Sequence, residues 1–180
     1  MSQRTRTAGR WATAGGLALL GVTALLAQGG EALDKLTIDD GFLSWDGIRL
    51  GMTIPQIERR VGATVAIQKS KEPGCPTWIA DAEHHGLSLT IGFPSPKPTG
   101  KVEYIRVRFE GNLIQASGAD LVAALHKKFP DATWQAPKEP AGITEAEDLE
   151  PDFAVPGKEP QTLRFYPREA MVLAKSSCLG

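Results

Sequence analysis

One short segment, Gly47-Ile48-Arg49-Leu50-Gly51-Met52-Thr53-Ile54-Pro55-Gln56-Ile57-Glu58-Arg59-Arg60-Val61-Gly62, carries the start, body and stop of a helix. Thr53 is placed as the N-cap, and Gln56 three residues on can reach back to its amide, a capping box for donors that a helix start leaves orphaned. Pro55 falls in the first turn, where a missing N–H costs nothing. Met52 is positioned to staple onto Ile57. Ile54, Ile57 and Val61 recur at helical spacing while Glu58, Arg59 and Arg60 face elsewhere, and Gly62 supplies a left-handed exit. The helix has one core face, so the rest of the chain must supply an apolar surface for it to cover.

Downstream the period changes from helical to alternating. Val65 and Ile67, then Leu87, Leu89, Ile91 and Phe93, then Ile105, Val107 and Phe109 alternate with polar neighbours, the pattern of half-buried antiparallel strands. A short segment around Trp78 and Ile79 adds another. Pro73-Gly74-Cys75-Pro76, Glu83-His84-His85-Gly86 and the proline-rich run 94–100 read as connections by their turn chemistry. A weaker echo follows: Ser117 with Asp120, an apolar stripe of Leu121, Val122, Leu125 and Phe129, a stop at Pro130, then strand-like segments near Thr133-Trp134, Thr162 to Tyr166 and Met171 to Lys175. The expected fold is α+β, an antiparallel sheet with short helices on one face, in a tandem helix-then-strands pseudo-repeat. Residues 136–160, with five prolines and many acidic residues, are expected to be a long mobile surface loop.

Leu50-Gly51-Met52-Thr53, followed by a short amphipathic helix and Gly62, resembles the opening helix of the small envelope domains typified by the β-lactamase inhibitor proteins and the outer-membrane assembly lipoproteins. The resemblance implies a helical pair packed on an antiparallel sheet, in some members as two tandem copies, and a binding role more often than a catalytic one. It covers this segment alone, so it carries architecture and no functional residues. The lipoprotein branch has a Cys at the signal-peptide junction; this chain has none there, and lipid anchoring of that kind is not expected.

Arg4, Arg6 and Arg10 precede an apolar run from Trp11 to Ala27, followed by small and polar residues, the layout of a secretory signal. Residues 1–32 are therefore expected to be a signal peptide, cleaved after Gly29 or Ala32, or an uncleaved N-terminal anchor. Both readings put residues 33–180 outside the cytoplasm, periplasmic or secreted, as a single domain. This remainder is acidic by about three charges, which leaves no nucleic-acid footprint. The membrane is expected to be touched only through the N-terminal segment. Cys75 and Cys178 are the only cysteines, and an oxidising compartment favours pairing them. The bridge would close about 100 residues, worth on the order of 4–5 kcal/mol in the chain-entropy model.

Chemistry-bearing motifs are sparse. Asp148, Glu150, Asp152 and Glu159 fall at calcium-loop spacing, but Phe153 stands where the turn glycine belongs, and Pro156 and Pro160 deny a flanking helix. Glu83, His84 and His85 concentrate ligand-type side chains and would serve a hydrolase or metal-dependent enzyme if a pocket gathered them. Adjacent histidines in extended backbone point to opposite faces, however, and His126 lies on the second helix, so the segment reads as a hairpin tip. No nucleophile elbow, zinc-protease motif or phosphate loop is present. No catalytic residue, metal or cofactor is expected. What stands out is the far side of the sheet. If Ile105, Val107, Phe109, Leu163 and Phe165 face the helices, then Tyr104, Arg106, Arg108, Arg164 and Tyr166 project the other way, with Ser88 and Thr90 alongside. Arginine and tyrosine are over-used at interfaces, although a solvated sheet face would show the same alternation. Trp45 is expected in the core. The functional expectation is an exported, non-catalytic binding or inhibitor-like module of the cell envelope, with a protein or acidic envelope ligand as partner. The alternatives are the enzyme based on Glu83, His84 and His85, and a membrane-anchored structural envelope component.

Overall fold

The structure is a computed structural model and describes residues 33–71, 74–108, 118–135, 152–166 and 170–179. The expectations for 1–32, for Phe109 and for the stretch 136–151 lie outside these residues. Among the described residues no helix is long and apolar enough to cross a membrane.

The fold is α+β. Strands β1 (Leu36–Asp39), β2 (Phe42–Trp45) and β3 (Ile48–Arg49) form a three-stranded antiparallel meander. Helix α1 (Ile54–Val61) follows, then β4 (Ile67–Lys69), β5 (Trp78–His84), β6 (Leu87–Phe93) and β7 (Tyr104–Arg108). Helix α2 (Gly118–Lys128) precedes β8 (Thr133–Gln135), β9 (Asp152–Val155), β10 (Gln161–Tyr166) and β11 (Ala170–Lys175), after which Ser176–Cys178 forms a 3-10 turn. The last eight strands make one antiparallel sheet in the order β4-β5-β6-β7-β11-β10-β9-β8. A helix followed by four strands occurs in each half of the chain, and the last strands of the two halves, β7 and β11, pair at mid-sheet.

Local chemistry sets these elements. The Gln56 side chain accepts from the Thr53 amide at 2.8 Å, and Gly62 closes α1 at φ 75° with its amide on the Glu58 carbonyl. Three connections are two-residue turns with positive φ at both centres: Asp40-Gly41, Asp46-Gly47 and His85-Gly86. These are type I′ hairpins, whose twist matches the flanking strands. Strand β11 has lost the alternation because it lies at the sheet's centre: Ala170, Met171, Val172, Leu173 and Ala174 are all fully buried.

One apolar core unites the layers. Leu43, Trp45 and Ile48 of the meander, Ile54 and Ile57 of α1, and Leu125 and Phe129 of α2 share it with Ile91, Ile105, Leu163 and Leu173 of the large sheet. Trp45 is fully buried, as expected. All the sheet residues in that core stand on the same face by register, so the helices and the meander cover one side of the sheet. The seam between the two sheets is polar and buried. Gln161 accepts from the Leu43 amide at 2.6 Å and donates to the Gly41 carbonyl at 3.0 Å. Gly157 permits this fit, because a Cβ there would lie 1.9 Å from Gln161 Nε2 and 2.5 Å from the Gly41 oxygen.

The loop expected over 136–160 ends earlier. Asp152–Val155 is strand β9, hydrogen-bonded between β8 and β10, with Phe153 and Val155 only 1% and 3% exposed. A two-residue alternation, Phe153 and Val155, carries enough apolar burial to order this segment despite its prolines and charges. Cys75 and Cys178 are disulfide-bonded with Cα atoms 5.0 Å apart, joining the β4–β5 connection to the C-terminal turn.

Candidate functional site

The outer face of the large sheet is built by register alone. Across its middle run Asp81, Thr90, Arg106, Val172, Arg164 and Asp152, each opposite the next on the neighbouring strand. On either side of that row Tyr104 stands opposite Ala174, and Arg108 and Tyr166 stand opposite Ala170. Tyr104, Arg106, Arg108, Arg164 and Tyr166 thus share one face, with Ile105, Val107, Leu163 and Phe165 buried behind them. The small outward residues of β11 leave room above them: the Arg106 guanidinium sits 5.4 Å over the Tyr166 ring, reaching from β7 toward β10 across that strand.

The face is more evenly charged than its arginines imply. Arg164 donates to both carboxylate oxygens of Asp152 at 2.7 Å, a bidentate pair in which both side chains are largely covered. That hydrogen bonding raises the Arg164 pKa further against the opposing effect of burial, so the guanidinium stays charged. Asp152, a member of the calcium-spaced acidic set, is therefore engaged in a strand pair, and Glu159 of the same set bridges Lys175 at 2.6 Å. On the β5 side Thr90 donates to Asp81 at 2.8 Å, and Asp81, Glu83, Ser88, Thr90 and Arg108 line a hollow of about 370 Å³. Sequence patterning missed these acids because β5, reading Trp78-Ile79-Ala80-Asp81-Ala82-Glu83, alternates only weakly.

A second constellation lies where two turns meet. Glu83 stands on the outer face opposite Ser88, so the set Glu83, His84 and His85 is not assembled. The two histidines nevertheless converge, contrary to the expectation that they diverge. His84 is the last residue of β5 and points to the core side, 8% exposed; His85 is the first turn residue at φ 50°. Leaving extended backbone there swings the His85 ring back beside His84, with centroids 4.3 Å apart. Asp46, the first residue of the β2–β3 turn at φ 49°, completes the group: its Oδ2 is 3.3 Å from Nε2 of each histidine. Arg60 of α1 holds this turn, donating from Nε and Nη2 to the Asp46 carbonyl at 3.0 and 2.7 Å. Gly47 makes that approach possible, since a Cβ would lie 2.5 Å from the Arg60 guanidinium. The Trp45 ring meets His84 edge-on at 6.2 Å. Burial first, then the neighbouring His85, lowers the His84 pKa, while the Asp46 carboxylate acts in the opposite direction. The signal available in the sequence was the pair of turn dipeptides, Asp46-Gly47 and His85-Gly86. His126 belongs to neither group; its ring packs at 6.3 Å from Phe153.

Cys75 Sγ lies 3.1 Å from the Glu103 carboxyl. A disulfide sulfur has no proton to give, so this contact is a hydrogen bond only when Glu103 is protonated. Burial raises the Glu103 pKa, and nearby Lys175 lowers it in part. Comparison of the chain with protein-family models, curated proteins and solved structures finds no match.

Proposed function

We propose that the chain is an exported, non-catalytic binding or inhibitor-like module of the cell envelope, and that its partner docks on the outer face around Tyr104, Arg106, Arg108, Arg164 and Tyr166. The observation that carries this reading is the register: three adjacent strands, β7, β11 and β10, set these large side chains around a strip of small buried residues, while the core uses the other face. Arginine and tyrosine present stiff area with a polar tip, the combination that interfaces favour. The expected partner is a protein or acidic envelope ligand that pairs with Arg108, which is exposed on this face. Export is supported by the Cys75–Cys178 bridge, since disulfides persist in oxidising compartments. The helix-then-four-strands order in both halves supports the tandem arrangement of the inhibitor-like domains that Leu50-Gly51-Met52-Thr53 resembles.

Arg108→Glu is the sharpest test, because Arg108 is exposed whereas Arg106 stacks on Tyr166. Stability should stay within about 0.5 kcal/mol of wild type, as is usual for exposed substitutions. Capture of envelope partners on the immobilised domain should fall at least about tenfold, because an interfacial charge pair is lost and a repulsion is added. Equal capture by wild type and variant would show that the face is not the interface.

A further inference from the structure

Asp46, His84 and His85 bring three lone-pair donors to one point where the β2–β3 and β5–β6 turns meet. Nε2 of His84 and Oδ2 of Asp46 are buried, and neither has a hydrogen-bond partner among the described residues. Their separation of 3.3 Å is longer than the 2.7–3.2 Å of an N–H···O bond, and the same distance separates Oδ2 from His85 Nε2. It does match another geometry. Ligands bound at about 2.0–2.2 Å around a tetrahedral zinc ion lie roughly 3.3–3.6 Å apart. Two edges of the trio already have that length, and one ligand atom from each of the three residues lies within 4.8 Å of the other two. The remaining edge joins the two imidazole nitrogens, and His85, with its side chain 59% exposed, has the freedom to close it.

We propose that this trio is a binding site for one divalent transition-metal ion of the zinc class, held by Asp46 Oδ2, His84 Nε2 and His85 Nε2. Imidazole and carboxylate donors suit such an ion, and three protein ligands leave a fourth position for water or for a donor from a partner. The surroundings are those of a built site. His84 is packed on the core side of the sheet against the Trp45 ring edge. Arg60 fixes the backbone carbonyl of Asp46, and its Nη2 lies 3.9 Å from Oδ1, leaving Oδ2 toward the histidines. The positive charge of Arg60 opposes a cation, but its side chain is 46% exposed and its field is screened by solvent. Asp46 and His85 both sit at positive φ, a conformation that non-glycine residues adopt rarely, and relaxing either to extended backbone would move its side chain out of the cluster. The site joins the tip of the meander to the tip of the β5–β6 hairpin, so the ion would clip the two sheets together at a second place, away from Gln161.

The test uses tag-free, disulfide-intact protein and zinc ion as the probe. Calorimetric titration should give one zinc per chain, and excess zinc should raise the melting temperature by several degrees. Cobalt(II) in place of zinc should show the visible absorption of a tetrahedral nitrogen and oxygen site. His85→Gly and Asp46→Asn both suit the positive φ of their turns, so each should fold with an unchanged metal-free melting temperature. Each should bind zinc at least about tenfold more weakly and lose the thermal shift. The proposal is overturned if zinc does not raise the wild-type melting temperature, or if both variants bind it as tightly as wild type. In that case the trio is a packing contact between two turns and holds no metal ion.

Discussion

Gln161 uses both ends of its side-chain amide at the seam between the two sheets, where it is 1% exposed. Gln161→Leu keeps the volume and removes the hydrogen bonds. The Gly41 carbonyl would still accept from the Lys158 amide at 3.0 Å, but the buried Leu43 amide would have no acceptor. One orphaned buried donor costs about 1–3 kcal/mol, and urea unfolding should show a loss of that size with an unchanged m-value. A loss below about 0.5 kcal/mol would mean that water replaces the amide. At this scale the sequence is legible where side chains alternate and opaque where they meet across distant turns. Tyr104, Arg106 and Arg108 fall outward and Ile105 and Val107 inward because a strand's period is two. Asp46 and His84 are brought together by pairing between elements far apart in the chain, and His85 joins them only through its positive φ. The turn dipeptides Asp46-Gly47 and His85-Gly86 are local signals for the positive φ, but no local pattern encodes the meeting of the two turns.

At the scale of elements, α1 is readable to its ends because its N-cap box, first-turn proline and exit glycine are all local signals. Strand β9 is not, since Asp152-Phe153-Ala154-Val155 is brief and lies among prolines and acids that read as a loop. The two descriptions of this segment differ in what Phe153→Ala should do. A side chain on a mobile surface loop would cost almost nothing to truncate. Phe153 is instead 1% exposed, opposite Leu163 on β10 and Trp134 on β8, so removing its ring leaves a cavity in the core. The expected loss is about 3–5 kcal/mol, measured by chemical denaturation. A loss under about 1 kcal/mol would return the segment to the loop reading. The β11 run Ala170 to Ala174 shows the converse ambiguity. It is apolar on both faces, so alternation could not have told which face its neighbours' arginines would cover.

At the scale of the whole molecule, the Cys75–Cys178 bridge ties the β4–β5 connection to the C-terminal turn, and Glu103 beside it is expected to make folding stability depend on pH. The sign follows from the direction of the shift. Burial raises the folded-state pKa of Glu103 above the ordinary 4.5, so the folded chain holds the proton more tightly than the unfolded chain does. Its contribution to stability is therefore complete below about pH 4.5 and is lost as pH rises through the folded value. Above that value a half-covered carboxylate faces a disulfide sulfur that cannot donate to it. Lys175 offsets this only in part, because its ammonium also binds Glu159 at 2.6 Å. Glu103→Gln replaces the carboxyl with an amide that donates at every pH. Unfolding free energy measured from pH 4 to pH 8 in both proteins isolates the effect, since all other carboxylates cancel in the difference. The variant should gain on wild type as pH rises and be the more stable of the two at neutral pH, with the bridge intact in both. A difference that stays flat with pH would show that Glu103 ionises as freely in the folded chain as in the unfolded one. A difference of opposite slope would make Lys175 the dominant neighbour, and Glu103 a salt-bridge partner rather than a proton donor to the disulfide.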